Sequence, residues 1–75
     1  MLLVAKLRGK TFEYDTENTK FLVEQRVGRK PYTLVAMKPT LERALSKLHR
    51  TIHSGATKAR LSRVDNGTIK SLMTI

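Results

Sequence analysis

Arg43, Lys47 and Arg50 recur at i, i+4 and i+7, a spacing that stacks three cations along one side of a helix. Lys58, Arg60 and Arg63 follow close behind. Spaced cations of this kind bind a phosphate backbone, with affinity that falls steeply as salt rises. Arginine can also read guanine edges where an element reaches a major groove. A solvated helix face is charged too, but usually in mixed signs. Here residues 43–63 contain no acid at all, and that shifts the balance toward a binding surface. The net charge is +9, with +3 over residues 1–37, +6 over 38–63 and none over 64–75.

Other chemistries find less material. His49 and His53 have the i, i+4 spacing that lets two imidazoles share a metal, yet HRTIH lacks the glutamate of a zincin and no third ligand is evident beyond Glu42 on the same flank. Both histidines are therefore expected at the surface or the edge of the core, with no metal. The absence of cysteine excludes disulfides, thiolate zinc ligands and thiol nucleophiles. Asn66-Gly67-Thr68 has the form of a glycosylation sequon but reads better as a turn. No Ser-His-acid set, carboxylate pair or glycine-rich phosphate loop stands out, so the chain is read as a non-enzymatic protein without cofactors. The four aromatics are Phe12, Tyr14, Phe21 and Tyr32. The two phenylalanines are expected in the core beneath the helix, while the tyrosines suit a core or a rim, where they could stack on bases.

The elements that must position these residues follow from periodicity. Leu3, Ala5 and Leu7 alternate up to Arg8-Gly9-Lys10; Phe12 and Tyr14 alternate after it; Phe21, Val23 and Val27 follow; Tyr32, Leu34 and Ala36 resume after Gly28-Arg29-Lys30-Pro31. This predicts an α+β domain, a small antiparallel meander of three to four strands packed on one helix. The sheet is expected over about residues 2–37, its first two strands forming a hairpin, and the helix over 41–53. Leu41, Ala44, Leu45, Leu48 and Ile52 fall within an arc of about 100°, the width of a core-facing stripe. Thr40 reads as the N-cap and Gly55 as the residue closing the C-terminus. Residues 56–75 read as a basic tail, either a hairpin turning at Asp65-Asn66-Gly67 or a short helix over 68–73.

Seventy-five residues are expected to form a single domain, 1–75, with a thin core and little room for a deep cleft. The apolar start MLLVAKL lacks the flank and length of a signal peptide and is too short to span a bilayer. A cytoplasmic protein with no membrane partner is the expectation, and a thin core with open strand edges also invites self-association.

Two resemblances accompany this reading. Phe21-Leu22-Val23, Tyr32-Thr33-Leu34-Val35-Ala36 and Pro39-Thr40-Leu41-Glu42-Arg43-Ala44-Leu45 together resemble short uncharacterised phage and prophage proteins that place a two-strand unit ahead of a T-L-E-x-A-L helix. That similarity covers about residues 20–52 and implies a phage-type accessory protein in a host cytoplasm. The order of sheet and then helix is also similar to the arm-binding domains of phage integrases. The second resemblance implies that the strands around Arg8, Lys10, Arg26, Arg29 and Lys30 face DNA. The expected function is nucleic-acid binding through Arg43, Lys47, Arg50, Lys58, Arg60 and Arg63. The alternative is an inhibitor or adaptor whose same cations dock on an acidic host protein.

Overall fold

A computed structural model describes residues 1–75. Six strands and one helix follow in the order β1 (Leu2–Leu7), β2 (Lys10–Asp15), β3 (Thr19–Arg26), β4 (Thr33–Lys38), α1 (Leu41–His53), β5 (Lys58–Asp65) and β6 (Thr68–Thr74). The fold is α+β as expected, with more strands than the three to four that the alternation suggests. They form two antiparallel sheets, the hairpin β1–β2 and a four-stranded sheet in the order β4-β3-β5-β6. The expected meander breaks between β2 and β3. There the Asp15 carboxylate accepts from the Glu17 amide at 3.0 Å and the Asn18 side chain at 2.9 Å, forming a tight turn.

Both two-residue hairpin loops use positive φ at each central position: Arg8 at 51° and Gly9 at 80°, Asn66 at 47° and Gly67 at 88°. This is the dihedral pattern of type I′ turns, whose twist matches that of the flanking strands. Asparagine and glycine suit such positions, whereas arginine carries the left-handed penalty of about 1 kcal/mol. Arg8→Asn is therefore expected to raise the unfolding free energy by about 0.5–1 kcal/mol, measured by urea denaturation.

The core lies on one side of the larger sheet. Phe21 and Val23 of β3 and Ala59 and Leu61 of β5 are fully buried against Ala44 and Leu48 of α1, so the alternation of two strands meets the stripe of the helix. The hairpin covers the same face. Tyr14 packs edge-on against Phe21 with centroids 4.9 Å apart, and its hydroxyl accepts from the Leu41 amide at 3.2 Å. That satisfies an orphan donor of the first helical turn, and Thr40 caps a second by accepting from Arg43 N at 3.3 Å. No helix or strand covers the opposite sheet face, and the molecule is only 16 Å through its thinnest dimension.

Two features depart from the sequence reading. Residues 58–65, expected in a basic tail, form the interior strand β5, paired on one side with β3 and on the other with β6. Of the two readings of the C-terminus, the hairpin holds, and the short helix over 68–73 is replaced by β6. Tyr32, Leu34 and Ala36 alternate in sequence, yet Leu34 and Ala36 do not share a face. Val23 pairs with Ala36 and Glu24 with Leu34, leaving Val35 as an extra residue in β4. A bulge of this kind flips every side chain beyond it, so Leu34 ends 57 % exposed on the open face.

Candidate nucleic-acid interface

Helical geometry delivers the first three cations together. α1 buries Leu41, Ala44 and Leu48, which turns Arg43, Lys47 and Arg50 outward. These three line an open depression of about 500 Å3 with Glu42 and Ser46. Lys38 and Thr40, from the junction of β4 and α1, complete it. Lys38 was missed as a site residue because it belongs to a strand rather than to the helical spacing. Its signal was its place directly ahead of Pro39-Thr40, at the end of the strand that leads into the helix. No apolar side chain lines the depression, and none of its four cations takes part in an ion pair with a carboxylate. Glu42 offsets one charge of the four. From Arg43 to Arg50 the helix rises roughly 10 Å, the axial rise of about three phosphates along one strand.

The remaining predicted site residues are not brought into this cluster. Arg60 and Arg63 lie three apart on β5 and therefore project to opposite faces. Arg60 sits on the open face, where its Nε donates to Glu24 Oε1 at 3.1 Å. Its guanidinium stacks 4.1 Å from the centroid of the Tyr32 ring. The Glu24 hydrogen bond holds the Arg60 guanidinium even more firmly protonated than usual. Arg63 turns to the helix side and is 16 % exposed. Its Nε and Nη2 donate to the two Asp65 carboxylate oxygens at 2.6 and 3.0 Å, and Nη2 also reaches the Glu13 carbonyl at 3.2 Å. The guanidinium lies 4.9 Å from the Phe12 ring centroid. Both arginines are structural cross-braces, and a forked arginine–carboxylate pair of this geometry is among the stronger polar contacts. Lys58, at the start of β5, is exposed and in no ion pair. The run free of acids in sequence is thus met by one carboxylate from β3, Glu24, and by Asp65 at the end of β5 itself.

Asp65 also accepts from the Thr19 hydroxyl, which belongs to a buried residue. Arg63 and Thr19 together hold its carboxyl below the ordinary carboxylate range. A carboxylate whose folded pKa is depressed stabilises the fold above its unfolded value, about 3.9, and that contribution is lost as pH falls through the lowered folded value. The Asp15 carboxyl is lowered in the same direction, by the Glu17 amide first and the N-terminal ammonium next. Denaturation midpoints measured across an acid series are therefore expected to fall below about pH 4, with a shallower acid limb in Asp65→Asn.

The cations implied by the integrase-like reading lie on different elements. Arg8 sits in the β1–β2 turn and Lys10 opens β2, both beside Phe12 and Leu72. Arg26 ends β3, with its Nε buried and unpartnered, and Arg29 and Lys30 are exposed in the turn that follows. His49 and His53 are exposed on α1. Tyr14 and the two phenylalanines face the core, while Tyr32 lies under Arg60.

These features define a small α+β domain with a layered face, an open face and a compact cationic cluster along one helix. No family model, curated protein or solved structure matches the chain.

Proposed function

We propose that the protein binds nucleic acid through the outer face of α1, with Arg43, Lys47, Arg50 and Lys38 contacting backbone phosphates. The observation that carries this reading is that four cations converge on a depression without an apolar lining or an ion-pair partner. A protein–protein interface needs a buried apolar or aromatic anchor at its centre, and this depression has none. A phosphate backbone needs only spaced charge and donors. Thr40 and Ser46 add hydroxyl donors along the same wall. Arg60 and Arg63 stay outside the site because their charges are already engaged by Glu24 and Asp65.

The test is a titration of labelled duplex and single-stranded DNA across salt. With three to four phosphate contacts, the logarithm of the binding constant should fall against log salt with a slope near −3 on duplex. Negligible binding at low salt, or a flat salt response, rules the reading out. Contacts made only to phosphate position a protein without specifying sequence, so affinity should vary little between unrelated duplexes.

A further inference from the structure

β4 is an edge strand, and its outward backbone groups have no partner. In the order β4-β3-β5-β6 it pairs with β3 alone, and no turn, loop or cap hydrogen bond involves residues 33–38. The other edge, β6, is also unpaired on its outer side, but it carries Lys70 in its middle, and Leu72 lines a depression with Leu7, Arg8, Lys10 and Phe12 of the hairpin. Proline, a charge or a bulge commonly guards a free edge; on β4 the charge is confined to its last residue, Lys38, and Thr33–Met37 hold neither charge nor proline. The one irregularity is the bulge at Val35.

The bulge gives this edge two chemically distinct sides. Leu34 and Met37, three residues apart, both emerge on the open face, 57 % and 55 % exposed. On the other side, Lys38 pairs in register with core-facing Phe21 and shares its depression with Lys47 and Arg43. The hairpin occupies the far flank of the helix, where Leu41 and Leu45 meet Leu3 and Ala5. The flank carrying Lys47 is therefore the one beside β4. We propose that β4 accepts an extended acidic segment of a partner protein as an added strand. Its carboxylates face Lys38 and Lys47, and its alternate apolar side chains cover Leu34 and Met37. Backbone pairing would supply affinity and the two-sided pattern would supply specificity. A second copy of this chain is disfavoured as the occupant, because a self-paired β4 would bring no carboxylate to Lys38 and Lys47: Thr33–Lys38 contains no acid. The proposal extends beyond nucleic-acid binding and shares Lys38 and Lys47 with it, so the added strand and a phosphate backbone would exclude one another.

The test uses the full chain and a fluorescein-labelled peptide of about seven residues, the length of a typical strand, alternating glutamate with valine. The control peptide has the same composition with its glutamates in one block. Anisotropy should show the alternating peptide binding at least about tenfold more tightly, and amide exchange should slow over residues 33–38. Lys38→Glu combined with Lys47→Glu should lose at least tenfold, and Met37→Asp several-fold, with circular dichroism unchanged because these positions are not in the core. Equal affinity for the two peptides, protection appearing on β6, or an unaffected Met37→Asp variant would each overturn the proposal, as would light scattering that shows self-association lost in Met37→Asp. Met37→Asp should keep its DNA salt slope. In the unaltered chain, no preference for the alternating peptide together with an intact salt slope counts against the added strand alone, and a flat salt response together with tight peptide binding counts against the phosphate site alone.

Discussion

Neutralising Arg43, Lys47 and Arg50 together, each to Gln, is expected to reduce the salt slope of DNA binding by about three. Each phosphate contact releases about one counterion, and the three side chains share one outward face of α1. If the wild-type and variant lines converge near 1 M salt, where counterion release no longer contributes, the difference corresponds to about a thousandfold loss of affinity at 0.1 M. Glutamine is a good helix former, so α1 should persist and the loss should be uniform over DNA sequences. Arg60→Gln supplies the contrast. It removes a cation already engaged by Glu24 on the opposite face of the sheet, and the slope should stay nearly unchanged. A slope that falls equally in both variants would show diffuse charge rather than a site.

The second large effect is on stability. Leu48 is fully buried where α1 meets β3 and β5, and Leu48→Ala removes its contacts at the centre of a core of eight buried apolar residues. The expected cost is about 2–5 kcal/mol, transfer and cavity together. A chain of this size has roughly 4–11 kcal/mol of stability in total, so the variant should melt at least about 10 °C lower or not fold at all. Leu34→Ala is the paired measurement. Leu34 is exposed on the open sheet face, and its truncation should change stability by less than about 0.5 kcal/mol. Thermal denaturation followed by circular dichroism reads both. A large loss in Leu34→Ala would mean that the open face is covered in solution.

These contrasts show where sequence reasoning succeeds and where it stops. The core stripe and the cationic face of α1 are legible because both repeat with the helical period inside thirteen residues, and no distant partner is needed to see them. The bulge at Val35 is not legible, since nothing in Thr33–Lys38 marks which residue is left unpaired. It arises from how β4 meets β3 and the helix, and it reverses the side on which Leu34 emerges. Lys38 likewise joins the cation cluster through the chain reversal at Pro39-Thr40 rather than through any spacing.

The sequence by itself determined the α+β class, the helix with its cap and two faces, the first hairpin and the concentration of positive charge. Each of these rests on neighbours within a turn or a strand pair. Tertiary structure decided that Arg60 is engaged, and it joined a carboxylate two residues along the same strand in engaging Arg63. Glu24 reaches Arg60 from 36 residues away, and Arg63 is drawn onto Phe12 and the Glu13 carbonyl, the latter 50 residues away, while Asp65 forks it from two residues on. Charge neutralisation acts through space over a few ångströms. A run without acids along the chain therefore gave no measure of the free charge at β5, while on α1 the same cations remain unpaired and face outward.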